Sequence, residues 1–345
     1  MAVNSEELIA FTEQFSNMVD AGLPLGRSLL ALEKEEEKAE LKRVISQVRQ
    51  DVDEGINLSD ALAKHPRIFS SFYINMIYAG EQGTGFPMAL RRIADHLQKE
   101  NSLKSKLKGV FVYPIIVGGF ALVIITFLVI VVAPVFAKVY TQLGIVLPLP
   151  TRLLLSVSYL ARKFWWVAGG AAAFLVGFHR YLGKRAAGRE FLDRMAMNLP
   201  VLGKLIRKMA TARFVRAFGD MLECNLTLND SLSIVDKVVG NSVVSGVIEK
   251  IRAAVLGGGT LSQAMSASRF FSPVVVQMAY AGEESGNLGA MLGKCADALD
   301  RDLENAAKKM IVILEPTLTL ILAGIVGFIA LSIYLPMFDL MKVVS

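Results

Sequence analysis

Apolar residues recur at steps of three and four through the first hundred positions, the spacing of one helix face. Ile9, Phe11, Phe15, Met18 and Val19 share such a face, with Glu13, Gln14 and Asn17 opposite. Gly22-Leu23-Pro24 stops that helix, and a second opens through Leu25, Leu29 and Leu32. The charge run 33–40 reads as a solvated helix face. Val44, Ile45, Val48 and Val52 predict a helix closed by Gly55; Leu58-Ser59-Asp60-Ala61 reads as a short helix start, and 72–79 and 88–106 as two more helices. No stretch alternates convincingly with period two. The expected fold class is therefore all-α, built of helical bundles.

Three blocks break this amphipathic pattern. Residues 109–137 are apolar apart from Tyr113, Thr126 and prolines, and 310–338 carry one charge, Glu315. A bilayer needs about 20 such residues in a helix, so both are expected to span. The block 159–181 is weaker. Arg162 and Lys163 would snorkel to an interface, and Trp165 and Trp166 at one end face His179, Arg180 and Tyr181 at the other. We expect three transmembrane helices. Composition agrees: 53% of the 345 residues are hydrophobic, 20% are charged, and the mean hydropathy is +0.47, too apolar for an ordinary soluble protein.

Charge then sets orientation. The net charge is +6, and the cations crowd beside the spans rather than forming a nucleic-acid signature, so no nucleic-acid partner is expected. Lys99, Lys104, Lys106 and Lys108 precede the first span, Arg180, Lys184, Arg185 and Arg189 follow the second, and Lys308 and Lys309 precede the third. By the positive-inside rule these flanks are cytoplasmic. The expected layout is a cytoplasmic domain at 1–108, spans at 109–137, 159–181 and 310–338, a periplasmic loop at 138–158 with a stiff turn at 147–150, a second cytoplasmic domain at 182–309, and a periplasmic tail at 339–345. Residues 1–8 are polar and acidic, so no cleavable signal peptide is expected.

The chain repeats itself. Phe11, Phe15, Met18, Leu23, Leu25, Ser28 and Leu29 return as Phe214, Phe218, Met221, Leu226, Leu228, Ser231 and Leu232. The register holds through Gly55/Gly258, Leu58/Leu261, Ser59/Ser262 and Ala61/Ala264, then shortens by one residue. Met76-Ile77-Tyr78-Ala79-Gly80-Glu81 matches Met278-Ala279-Tyr280-Ala281-Gly282-Glu283, and Lys106, Pro114, Pro134 and Phe136 match Lys308, Pro316, Pro336 and Phe338. Each unit is a helical body followed by a span bracketed by prolines. The extra middle span returns the second body to the compartment of the first.

With its doubled Ala-Gly-Glu turn and proline-bracketed spans, the chain resembles the type II secretion F / type IV pilus platform family over residues 8–338. It departs where Glu315 stands in the second copy and Tyr113 in the first, and it lacks the longer N-terminal extension of many members. The resemblance implies a multi-pass protein of the bacterial inner membrane with two cytoplasmic helical domains that self-associates at the base of a fibre. The implied partners are a cytoplasmic assembly ATPase, pilin or pseudopilin, other inner-membrane assembly proteins and membrane lipids. The implied role is coupling the ATPase to subunit polymerisation. The alternative is a small membrane transporter or channel component, which the nearly unbroken apolarity of the spans disfavours.

Chemistry is sparse. No GxxxxGK[ST] loop is present, and Gly257-Gly258-Gly259 reads as a turn. His65, His96 and His179 lack metal-ligand spacing, and Cys224 and Cys295 read as reduced buried thiols. No enzyme activity, metal or cofactor is expected. The polar candidates are Gly80-Glu81 and Gly282-Glu283, whose carboxylates would cap the following helix or else meet a partner or a cation. Glu315 is a functional candidate as an ionisable group in a span, with Lys308 or Lys309 as possible partners. Pro114, Pro134, Pro316 and Pro336 are expected to kink or end their helices.

Overall fold

The computed structural model describes residues 3–142, 148–199 and 202–344, and among them every regular element is helical. The first copy comprises α1 (Ser5–Asp20), α2 (Leu25–Glu35), α3 (Ala39–Asp53), α4 (Leu58–Ala63), α5 (Ser71–Ala79) and the start of α6 (Phe86–Phe127), with a π-helical turn at Gly80–Thr84 between the last two. A second π turn, Leu128–Val132, leads into α7 (Ala133–Gln142), followed by α8 (Leu149–Lys184) and α9 (Ala186–Asn198). The second copy is α10 (Leu202–Glu223), α11 (Leu228–Val239), α12 (Ser242–Leu256), α13 (Leu261–Ser268), α14 (Pro273–Glu284) and the start of α15 (Leu288–Val344).

Local chemistry explains many of these ends. Asn4 N–H donates to Glu7 Oε2 at 3.1 Å ahead of α1. Ser70 Oγ accepts from Tyr73 N–H at 3.3 Å to open α5, and Thr227, Asn241 and Thr260 do likewise for α11, α12 and α13. Gly55, with φ +88°, takes the left-handed turn that closes α3. The charge run 33–40 differs from expectation: α2 ends at Glu35 and α3 starts at Ala39, so the run straddles a helix junction. Its Glu33 is held to Arg49 at 2.8 Å.

The chain divides into two compact units, Met1–Lys106 with Glu190–Asn305, and Leu107–Arg189 with Ala306–Ser345. The first therefore holds both copies together. The reason is a common core. Phe15, Leu29, Ile45 and Met76 of the first copy and Phe214, Phe218, Leu232 and Val244 of the second belong to one buried cluster. The stacked ring pair Phe214–Phe218, 5.3 Å between centroids, stands where the first copy has Phe11–Phe15 at 5.8 Å. Each fully buried Leu or Phe contributes roughly 1.5–3 kcal/mol, so amphipathic helices too small to enclose their own apolar faces gain by sharing.

The second unit buries little. Val129, Ala133, Leu154 and Ile329 form its small core, while Ile115, Phe120 and Leu320 are about 70% exposed or more, as side chains facing lipid are. Two helical stretches, Phe86–Val139 and Leu288–Leu335, are long and apolar enough to cross a membrane. The segment 138–158, expected as a loop, is helical at 138–142 and 149–158, and the tail is helical to Val344. Residues 143–147, including the start of the expected stiff turn, lie outside the described residues. The prolines do not end their helices: α6 runs through Pro114, and α15 through Pro316 and Pro336. Only Pro134 adjoins an irregularity, the π turn just before it. A further break falls at Phe164 inside α8 (φ −115°, ψ 17°).

Candidate functional site

The doubled glutamates form a latch, reaching backward rather than forward. Glu81 follows α5, and its carboxylate accepts from Ser59 N–H at 3.2 Å and Ser59 Oγ–H at 2.5 Å at the start of α4. Glu283 does the same in the second copy, accepting from Leu261 N–H at 2.5 Å, Ser262 N–H at 3.1 Å and Ser262 Oγ–H. Both were expected to cap the next helix or else to meet a partner or a cation. They cap the one 22 residues earlier because α4 and α5, like α13 and α14, double back on a short connection. A carboxylate at a helix N-terminus meets free N–H groups and the positive end of the dipole. Ser59 and Ser262 were missed as site residues, although their recurrence in register was the signal.

Gly80 and Gly282 explain the rest of the motif. A Cβ on Gly80 would sit 2.8 Å from Ala89 Cβ, and one on Gly282 2.8 Å from Leu288 Cα. Only glycine lets α5 and α14 approach the next helix so closely.

Between the copies runs a polar seam that sequence spacing did not reveal. Phe72 stacks on His96 at 4.0 Å between ring centroids, and His96 Nδ1 lies 2.7 Å from Asp220 Oδ2. Arg92 pairs with Glu223, Lys99 with Asp297 at 3.1 Å, and Lys106 with Glu304 at 3.2 Å. Buried Arg216 holds Asp297 at 2.9 Å and Asp300 at 2.5 Å. Burial pushes the Asp297 carboxyl up, but hydrogen bonds from Arg216 and Lys99 outweigh it and leave its pKa below the usual value. Glu100 is likewise lowered: burial opposes ionisation, and Lys104, His96 and Arg213 overcome it. The thiol of buried Cys224 is pushed up to about 11 by desolvation, which makes it a poor nucleophile. Among the described residues no three His, Cys, Asp or Glu side chains gather as a metal-ligand group.

In the second unit, Tyr113 O–H donates to Glu315 Oε1 at 3.4 Å. Tyr113 stands at the position of the first copy that corresponds to Glu315. Pro134 has no N–H to offer the carbonyl four residues back, that of Ile130. Arg162 of α8 donates to that carbonyl instead. Thr151 Oγ1–H donates to the Ser332 carbonyl at 2.5 Å, both residues being buried. Pro114 and Pro316 lie in uninterrupted helix beside Tyr113 and Glu315. The side chains of Pro336, Trp165 and His179 lie outside the described residues.

Known proteins are similar to this chain along nearly its whole length. A family model described as type II secretion system (T2SS), protein F matches twice, at residues 11–134 and 214–336, the limits of the internal repeat. The chain is 34% identical over 339 residues to the type IV pilus assembly protein PilC of Myxococcus xanthus, covering 98% of this chain and 81% of that protein. It is 36% identical to PilC of Thermus thermophilus over 99% of this chain and 84% of the relative. It is 34% identical to type II secretion system protein F of Xanthomonas campestris, over 98% and 84%.

Proposed function

Because this chain belongs to the type II secretion system protein F family, we propose that it is an inner-membrane platform on which a type IV pilus or a type II secretion pseudopilus is assembled. The observation that carries the reading is the double match, each half running from a helical body into an apolar span. A scaffold needs a broad rigid surface in one compartment fixed to the bilayer. The common core of the two copies supplies the rigidity and the apolar helices supply the anchor.

In this reading α8 is the third span. The cationic flanks at Lys99–Lys108, Arg180–Arg189 and Lys308–Lys309 then share the cytoplasmic face, and the C-terminus lies in the periplasm. The helical bodies meet a cytoplasmic assembly ATPase, whose motion the platform passes to pilin or pseudopilin in the membrane. Basic flanks hold anionic lipid headgroups. The chain self-associates and catalyses nothing itself.

Reporter fusions near residues 50 and 250 should report the cytoplasm, and a fusion after Val344 the periplasm. The purified protein should bind the cognate assembly ATPase and hydrolyse no nucleotide alone. Deleting its gene should abolish the surface fibre or secretion, with complementation restoring it. Fusions near 50 and 250 on opposite faces would refute the topology, and unimpaired assembly in the deletion strain would refute the role.

A further inference from the structure

The two copies meet through unlike faces. The first contributes α5 and the start of α6, with Phe72, Arg92, His96 and Lys99; the second contributes α10, α11 and α15, with Asp220, Glu223 and Asp297. Were the copies related by a twofold axis, each would offer both faces to the other. They do not. Phe72 is 2% exposed, while its counterpart Val274 on α14 is 60% exposed. Met76 and Ala79 are buried, and their counterparts Met278 and Ala281 are only partly covered. The contact is head to tail, so one face of each kind remains open on the chain.

The open faces match in charge. The counterparts of Arg92 and Lys99 are Lys294 and Arg301, both exposed. Those of Glu223 and Asp297 are Asp20 and Asp95, also exposed. Asp20 and Asp95 line a groove of about 560 Å³ with Pro87, Met88, Arg91 and Arg92. The buried pair His96–Asp220 becomes Ala298 and Asn17, so both members are replaced together and neither face is left with a lone ionisable partner. On α2, the counterpart of α11, Leu30 is exposed and Glu35 stands where α11 carries Val238. The open faces keep two opposite-charge pairs, Lys294 with Asp20 and Arg301 with Asp95. Arg301 already borders the groove between α6 and α15, so Lys294 with Asp20 is the deciding pair.

We infer that a second copy of this chain docks there, setting its α1–α2 face, with Asp20 and Leu30, on the α14–α15 face, with Lys294 and Val274, of its neighbour. The contact within one chain is thereby repeated between chains. Because the faces are unlike, it propagates in one direction and closes only as a ring. This deepens the self-association in the proposed function by naming the surface.

The test is charge reversal in the full chain in nanodiscs, read by mass photometry. Lys294→Glu and Asp20→Lys should each weaken self-association roughly tenfold, raised salt should weaken the wild type, and the double variant should recover. A second measurement pairs Val274→Cys in one tagged chain with Leu30→Cys in another, with a cross-linked dimer expected in membranes. Association indifferent to both reversals, or the absence of a cross-link between the two chains, overturns the surface while leaving self-association standing. A chain that stays monomeric throughout overturns both.

Discussion

Replacing Glu283 by Gln tests whether the doubled turn is a latch, with Glu81→Gln as an internal comparison. Glu283 accepts three hydrogen bonds, from Leu261 N–H, Ser262 N–H and Ser262 Oγ–H, while Glu81 accepts two, both from Ser59. Hydrogen bonds to a charged acceptor are worth about 1.5–3 kcal/mol each, and the carboxylate's interaction with the helix N-terminus adds about 0.3–1 kcal/mol. Glutamine keeps one acceptor oxygen and turns an N–H₂ toward the remaining donors. In the second copy that amide opposes at least one backbone N–H that cannot rotate away. In the first copy the oxygen can stay on the Ser59 N–H while the Ser59 hydroxyl turns to accept from the amide. Glu283→Gln should therefore cost about 2–4 kcal/mol of local stability and Glu81→Gln about 1–2 kcal/mol. The assay is hydrogen exchange by mass spectrometry on the protein in detergent, following the amides of α4 and α13. At 1.4 kcal/mol per factor of ten, the second copy should lose at least tenfold protection at 261–262. Unchanged exchange in both variants, or a larger loss in the first copy, would refute the latch.

Other consequences follow from single contacts. Arg162→Met should destabilise the second unit by about 1–3 kcal/mol, and much less when Pro134→Ala restores an N–H to the Ile130 carbonyl; equal losses in both backgrounds, by unfolding in mixed micelles, would show that Arg162 acts elsewhere. Asp297 has a lowered pKa in the folded chain, so its contribution is present above the ordinary carboxylate range and is lost as pH falls through the folded value. The stability gap between wild type and Asp297→Asn should be full near neutrality and close below about pH 4; a gap that widens on acidification would contradict the ion pair. Gly282→Ala places a methyl against Leu288 Cα and should destabilise by about 1–3 kcal/mol, detected by limited proteolysis between α14 and α15.

Most of the element order was legible because it rests on nearest neighbours in sequence. The three- and four-residue spacing around Phe11, Phe15 and Met18, the stop at Gly22-Leu23-Pro24 and the turn at Gly55 each act within one or two helical turns. The match at 11–134 and 214–336 coincides with the repeat read from residue identities alone. Failures came where local signals compete. The run 33–40 has charge enough for a solvated helix face, yet the chain leaves the helix at Glu36 and resumes at Ala39. The prolines were expected to kink or end their helices, and α6 continues through Pro114.

The candidate site divides the same way. The sequence by itself determined that the chain is helical, duplicated, anchored by apolar spans, and marked at Glu81 and Glu283, because these depend on residue type and spacing. Only the tertiary structure decided that Glu81 reaches 22 residues back to Ser59 and Glu283 21 residues back to Ser262, that Glu315 meets Tyr113, and that the two copies share one core. Such partners are set by how helix faces pack, and one periodic pattern fits many packings of similar buried area. The asymmetry between Phe72 and Val274 is the clearest case. Equivalent positions in sequence end in opposite environments, because a head-to-tail contact uses each kind of face once and leaves its twin open.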